Sequence, residues 1–280
     1  MAPTKSILVV DDDPAIHALL QAVLASPDWQ VEAAQDGQEA LSRVRVKDYD
    51  LVLTDVRMPG MDGLELLRTI HEERPATRVL VMTADNTPDN VLSSLRRSAF
   101  AYFSKPFSSN LVRDLVQQAL AAPGADDDIR VRSALPNWVE LEMRCRLDVA
   151  DRLVQFLKEI KMDLPETDRE NIAFAFREML RNAVEHGGKC DPNQKVEVAY
   201  IGTSRASIYY IRDPGEGFRF TELPHAAISN PPDLPAEHMK YREEQGLRPG
   251  GFGILLTKNM VDELIYNERG NEVILIKYLS

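Results

Sequence analysis

The chain has 280 residues and a formal net charge of −11 at pH 7, so it is too long for one ordinary hydrophobic core and about right for two domains. An acidic surface repels nucleic-acid backbones and anionic membranes, which argues against either as main partner and leaves small anions in local basic pockets. Met1 to Ile7 carry no long apolar run, and no stretch of about 18 uncharged apolar residues occurs. Neither a secretory signal nor a membrane span is expected, and the protein is expected in the cytoplasm. Cys145 and Cys190 have neither metal spacing nor partners for a disulfide framework and are expected as buried free thiols.

In chain order, β-rich apolar runs at residues 7–10, 31–34, 51–54, 79–82 and 101–104 alternate with helical patterns, the last at 108–120. Near-continuous apolar strands separated by amphipathic helices predict a five-stranded parallel α/β sheet covered on both faces. The Pro-, Gly- and Asp-rich segment after Ala121 neither packs nor propagates a helix. The expected organisation is a first domain at 1–121, a linker at 122–129 and a second domain at 130–280. The second half opens with strand-like residues 129–144, then helical patterns at 149–161 and 168–186, then a hairpin at 195–201 and 207–212. A helical stretch at 254–264 and a closing strand at 271–278 complete an α+β sandwich. Residues 218–249, rich in Pro and charge and without periodicity, are too long for a simple connection and read as a lid, with disorder the alternative.

Asp11, Asp12 and Asp13 follow the first strand and Asp55 ends the third, at the carboxyl rim where open α/β sheets bind ligands. Clustered carboxylates repel one another, and hard oxygen ligands suit Mg²⁺, which takes one or two carboxylates together with phosphate and water. Thr83 ends the fourth strand and Lys105 the fifth, adding a hydroxyl and a cation suited to phosphoryl oxygens. Singly, Asp13 reads as a helix N-cap, Thr83 as a strand-end hydroxyl and Lys105 as a surface charge. Their coincidence on one rim makes a phosphoryl cradle. Through Val9-Val10-Asp11-Asp12-Asp13-Pro14, Thr54-Asp55-Val56-Arg57-Met58-Pro59-Gly60-Met61-Asp62-Gly63, Met82-Thr83-Ala84 and Lys105-Pro106-Phe107, residues 4–121 resemble the bacterial response-regulator receiver family, a flavodoxin-like fold. The resemblance implies Asp55 as phosphoacceptor and an upstream histidine kinase as donor. It also implies Asp11, Asp12, Asp55 and the Arg57 main-chain oxygen around the metal, Thr83 and Lys105 as phosphoryl contacts, Thr83 and Tyr102 as switch residues, and a cis Lys105–Pro106 peptide.

In the second half, Glu178, Asn182 and His186 recur every four residues and share a helical face beside Ile172, Phe176, Met179 and Ala183. An asparagine carbonyl can ligate Mg²⁺, and a nearby carboxylate can take a proton from an attacking hydroxyl. Asp213-Pro214-Gly215-Glu216-Gly217 supplies tight turns and an acceptor for an adenine amino group. Gly250-Gly251-Phe252-Gly253 then opens a helix, where backbone amides can hold phosphate. Each string alone is a common turn or a polar helix face, and no G-x-x-x-x-G-K-[ST] loop is present. In this order they resemble the GHKL (histidine-kinase-like) ATPase superfamily. The Glu178-to-Gly187 form and the ending from Leu255 to Glu263 look closest to anti-sigma-factor serine/threonine kinases, over about residues 130–280. The resemblance implies Glu178 as catalytic base, Asn182 as Mg²⁺ ligand, Asp213 as adenine reader, and Gly215, Gly217, Gly251 and Gly253 as shaping the ATP pocket. Arg248 and Lys258 are further candidates for phosphate charge, though each alone reads as a solvated cation.

The expected function is therefore a response regulator whose phosphorylation at Asp55 controls an ATP- and Mg²⁺-dependent protein serine/threonine kinase, acting on an anti-anti-sigma or sigma-like protein, with a homodimer as the family expectation. The segment at 218–249 is longer than such kinases usually carry, which leaves open substrate and turnover. The alternatives are a nucleotide-bound module that sequesters its partner, and an unorthodox histidine kinase; against the latter, no histidine lies between His71 and His186.

Overall fold

Five short apolar runs form the parallel strands β1 (Lys5–Val10), β2 (Trp29–Ala34), β3 (Leu51–Asp55), β4 (Arg78–Thr83) and β5 (Ala101–Ser104), in the spatial order β2-β1-β3-β4-β5. This is the doubly wound, flavodoxin-like order, whose ligand crevice lies at the strands' carboxyl ends. In the computed structural model the described residues are 4–85, 87–122, 128–160, 164–218, 237–244 and 252–279. Gly251, Arg248 and most of the segment expected as a lid lie outside them. The chain divides into two units, 1–127 with 155–161 and 128–154 with 162–280.

Every residue of β3 is buried, as a strand covered on both faces requires. One face of the sheet packs Ile7, Val9, Leu51, Leu53, Leu80, Met82 and Phe103 against α1 (Pro14–Val23) and α5 (Ser109–Ala121). The first unit also contains α2 (Gly37–Val46), α3 (Gly63–Glu73) and α4 (Pro88–Arg96). Each of these five helices starts on a side-chain cap: Asp13, Asp36, Asp62, Thr87 and Ser108 accept the amides of Ala15, Glu39, Glu65, Asn90 and Leu111. A cap contributes about 1 kcal/mol and fixes where the strand-to-helix loop ends, so these caps also set the rim loops. At the start of α3 a Cβ on Gly63 would lie 1.8 Å from the Asp55 carbonyl oxygen. Glycine there lets α3 press against the end of β3.

The second unit is a six-stranded sheet in the order β10-β11-β9-β8-β7-β6, antiparallel throughout. Its strands are β6 (Ile129–Leu135), β7 (Trp138–Arg144), β8 (Lys195–Gly202), β9 (Ala206–Arg212), β10 (Glu263–Tyr266) and β11 (Glu272–Tyr278). Its helical elements are α7 (Glu166–Asn182), α8 (Glu237–Glu244) and α9 (Gly253–Met260), and α6 (Leu147–Glu159) runs from the second unit into the first, which takes residues 155–161. Burial alternates along β7 and β8, so Val139, Leu141, Met143, Val196, Val198 and Tyr200 turn inward. Phe176 of α7 meets Tyr209 of β9 at a centroid distance of 5.3 Å.

Three expectations change. The helix read at 254–264 ends at Met260, and Glu263–Tyr266 is a strand on β11, because Leu264 and Tyr266 fit strand alternation once a partner edge is available. Cys190 is exposed and only Cys145 is buried, since Cys190 sits at φ 52° in the turn that leaves the α7 region. The helix read through His186 is α-helical only to Asn182 and continues as a π turn from Ala183 to Gly187.

Trp29 packs on the first unit's core, and Trp138 is the chain's other tryptophan. In a Trp138→Phe background, Gly63→Ala should lower the unfolding free energy read from Trp29 fluorescence in urea by about 2 kcal/mol, the cost of forcing a methyl group into packed backbone. An unmoved midpoint would show that α3 can shift away from β3 freely.

Candidate functional site

At the rim of the first sheet, Asp11 is fully buried after β1 and Asp55 is 7% exposed at the end of β3. Lys105, just past β5, bridges them: its Nζ lies 2.7 Å from Asp11 Oδ2 and 2.6 Å from Asp55 Oδ2. Burial pushes the Asp11 carboxyl above its ordinary pKa, and the Lys105 bond and the Asp13 amide only partly offset it. Burial works to lower the Lys105 pKa, yet its bonds to the two aspartates hold the ammonium above its ordinary value. The Lys105–Pro106 peptide is cis.

The exposed Asp12 completes a set of three carboxylates whose oxygens lie within 4.8 Å of one another. Three hard oxygen donors with only one ammonium to neutralise them fit a divalent cation such as Mg²⁺. Asp13 caps α1, its Oδ1 accepting the Ala15 amide at 2.8 Å. The Arg57 amide donates to Asp55 Oδ1 at 3.3 Å, and the Arg57 side chain pairs with Asp85. Thr83 is 1% exposed, and its hydroxyl accepts the Asp85 amide at 3.1 Å. Tyr102 is fully buried, and its hydroxyl has no hydrogen-bond partner among the described residues. Asp11, Asp12, Asp55, Thr83 and Lys105 therefore gather at one rim, with Tyr102 in the neighbouring core.

In the second unit, Glu178, Asn182, His186, Asp213, Gly215, Gly217 and Gly253 line one cavity of about 780 Å³, a size suited to small-molecule ligands of about 300–1,000 Å³. The π turn shapes its wall. The Gly188 amide reaches the Ala183 carbonyl at 2.8 Å, and a Cβ on Gly187 would lie 2.3 Å from Asp213 Oδ1. The Asp213 carboxylate thus packs on bare backbone after β9, its Oδ1 accepting the Gly215 amide at 2.8 Å. Burial raises its pKa, against the Gly215 amide and the charge of Arg269. A Cβ on Gly253, the first residue of α9, would lie 2.9 Å from Glu178 Oε2 and 4.0 Å from Asn182 Nδ2. Glu178 and Asn182 consequently face the helix start read as a phosphate loop. Lys258 is exposed on α9 and is not among the residues lining the cavity.

Sequence reasoning missed the turn between β10 and β11. Gly270 and Asn271 line the cavity, and Asn271, 5% exposed, donates to the Asp213 carbonyl at 3.2 Å. The available signal was Gly270-Asn271 before a strand whose first residue pairs with Arg212, which sets this turn beside Asp213.

The response regulator receiver domain family matches residues 7–117, and the histidine kinase-like ATPase domain family matches residues 143–277. The chain joins a receiver domain to a histidine kinase-like ATPase domain. Over 115 residues it is 40% identical to the transcriptional regulatory protein ZraR of Salmonella typhimurium, covering 41% of this chain and 26% of that protein. It is 37% identical to the DNA-binding transcriptional regulator NtrC of Escherichia coli strain K12, covering 41% and 24%. The chain thus spans about a quarter of the length of these relatives. Among solved structures, a CheY-like receiver domain protein from Methanospirillum hungatei is 32% identical over 42% of this chain and 94% of its own, with a TM-score of 0.41. The receiver domain is the module of two-component response regulation, and the ATPase domain points to ATP as ligand. Among the described residues, no helix is long and apolar enough to cross a membrane.

Because the Asp11 pKa is raised, its ionisation at neutral pH costs folding free energy, a cost that begins to fall as pH drops through the folded pKa and is gone below the ordinary, unfolded value. A cation bound by the native carboxylates offsets it. At a hundredfold excess over Kd, Mg²⁺ should stabilise the receiver by about 2.7 kcal/mol in urea titrations at pH 7. Asp11→Asn should remove most of that gain, and an equal gain in the variant would place the ion elsewhere.

Proposed function

We propose that the protein is a cytoplasmic response regulator in which phosphorylation of Asp55 controls an ATP-dependent protein serine/threonine kinase of anti-sigma-factor type. The observation that carries the output half is that Glu178 and Asn182 of one helix, Asp213 and Gly253, from three separate stretches of the chain, line one cavity. At the input site an Asp55 carboxylate oxygen attacks the phosphorus of a phosphohistidine donor; the O–P bond forms as the P–N bond breaks. The Thr83 hydroxyl and the Lys105 ammonium take the phosphoryl oxygens, Lys105 exchanging its present contacts with Asp11 and Asp55 for them. Buried Tyr102, with no hydrogen bond from its hydroxyl to break among the described residues, turns as the switch aromatic.

At the output site Asp213 accepts the adenine amino group, Gly215 and Gly217 give the backbone room to approach, and the start of α9, with Gly251 before it, holds phosphate. Glu178 takes the proton of a serine or threonine hydroxyl on the partner as its oxygen bonds the γ-phosphorus and ADP leaves. Mg²⁺, when bound by Asp11, Asp12, Asp55 and the Arg57 carbonyl, and by Asn182 with ATP, supplies the charge that lets phosphate oxygens approach these acidic groups. The partner is an anti-anti-sigma or sigma-like protein, and phosphorylation acts by favouring one of two arrangements through differential contacts.

Calorimetry of the full chain with Mg-ATP, paired with phosphotransfer to candidate partners, tests this reading. Asp55→Asn should abolish phosphoryl acceptance and leave ATP affinity unchanged, whereas Asn182→Ala should weaken Mg-ATP binding at least about tenfold, the loss of one metal ligand. The transferred phosphate should be acid-stable. An acid-labile product would make the protein a histidine kinase, and tight binding without transfer would make it a nucleotide-dependent sequestering module.

A further inference from the structure

The Asp213–Gly217 loop does not hold its own shape. Gly217 and Gly270 both adopt left-handed backbone, at φ 81° and 79°, and the two interlock. A Cβ on Gly217 would lie 2.0 Å from the Arg269 carbonyl oxygen, and one on Gly270 would lie 2.0 Å from the Phe218 carbonyl oxygen. Two glycines are needed because two backbones pass at contact distance. The Arg269 side chain then reaches over the loop, Nε donating to the Glu216 carbonyl and Nη2 to the Gly215 carbonyl, both at 3.2 Å.

A relay of asparagines fixes the other end. Asn267 Oδ1 accepts the amides of Gly270, Asn271 and Glu272 at 2.7, 3.1 and 3.2 Å. Its Nδ2 donates to Asn271 Oδ1 at 3.0 Å, and Asn271 Nδ2 donates to the Asp213 carbonyl at 3.2 Å. The Asp213 amide returns a bond to the Asn271 carbonyl at 3.0 Å. The main chain of Asp213 is therefore held on both its polar atoms by one residue of the turn.

We propose that Arg269 is a positioning residue for adenine recognition: it anchors the Asp213–Gly217 loop through the Gly215 and Glu216 carbonyls, which brings its guanidinium to the loop that carries the Asp213 carboxylate. The inference rests on the nucleotide reading of this cavity. Among the described residues, His186 and Lys189 line the same cavity, and three further groups face Asp213 without compensating charge. Cys145, after β7, is pushed up to about 11 by burial, the phenol of Tyr266 on β10 is likewise raised by burial, and the π turn presents the backbone of Gly187. Among the described residues, the charge of Arg269 works to lower the Asp213 pKa.

The sign follows. An ionised Asp213 is a stronger acceptor for an amino N–H than a protonated one, so affinity for ATP falls as pH drops through its pKa. Burial already places that pKa above the ordinary value, and removing Arg269 moves it further up. Calorimetric titration of ATP with Mg²⁺ into the full chain, from pH 4 to 8, should show Arg269→Met binding about 3- to 10-fold more weakly at pH 7.5, as expected for lost hydrogen bonds. The acid limb of its affinity profile should also lie at higher pH than in the wild type. Arg269→Lys keeps the charge and loses the fork, so its acid limb should match the wild type while only part of the affinity returns. Because all three proteins meet the same nucleotide, ATP's own ionisation cancels in the comparison. If the wild type binds and Arg269→Met matches it in affinity and acid limb, the positioning role is overturned and the nucleotide reading stands. A shift of affinity with no movement of the limb in either variant would reduce Arg269 to a structural tie and overturn the electrostatic half. A wild type that does not bind ATP overturns the nucleotide reading itself, and the inference with it.

Discussion

A carboxylate taken out of water costs several kcal/mol unless charge or hydrogen bonds replace its hydration, and each unit depends on one such group at the end of a strand. Asp55 closes β3 and Asp213 follows β9, both largely shielded from solvent. The two units meet the cost differently. Around Asp55 the compensation is a cation, Lys105, shared with the buried Asp11 and held by two bonds under 3 Å. Around Asp213 it comes mainly from backbone: the Gly215 amide, the bare wall of Gly187, and only a peripheral guanidinium.

These solutions suit different ligands. A lysine ammonium is a mobile point charge that can let go of a carboxylate and take hold of a phosphoryl oxygen. The receiver site is thus neutralised in a form that its own ligand can replace. A backbone cradle has no such freedom, and it presents one acceptor in one place, as recognition of a flat base edge demands. Thr83 and Tyr102 follow the same logic. One is a buried hydroxyl at the rim, held by the Asp85 amide, and the other a buried phenol without a hydrogen bond among the described residues, so packing alone keeps Tyr102 in its present rotamer.

Much of this was legible in the sequence because the receiver's strands are buried on both faces and read as unbroken apolar runs. The capping residues are written beside them, so the order of strands, helices and rim carboxylates could be placed before any geometry. The second unit was harder. Residues 254–264 fit a helical spacing as well as a strand, and only the partner edge of β11 decides for Glu263–Tyr266. α8 has almost no amphipathic asymmetry, so no period marks it. The contribution of Asn267, Arg269 and Asn271 was hard to read for a different reason: Gly270-Asn271 marks a turn, but only the pairing of Glu272 with Arg212 puts that turn beside Asp213.

The π turn from Ala183 to Gly187 carries one residue more per turn than the helix before it. Had α7 continued in α geometry, each later residue would be rotated by about 100° relative to where the insertion leaves it. Gly187 would no longer back the Asp213 carboxylate, although Glu178 and Asn182 would not move. A single extra residue therefore sets the phase between the end of the helix that faces phosphate and the end that faces the base. Length changes in this segment should be far less tolerated than changes of side chain, and any chain that shares the pocket must preserve the count between Asn182 and Gly187 more strictly than the identity of the residues between them.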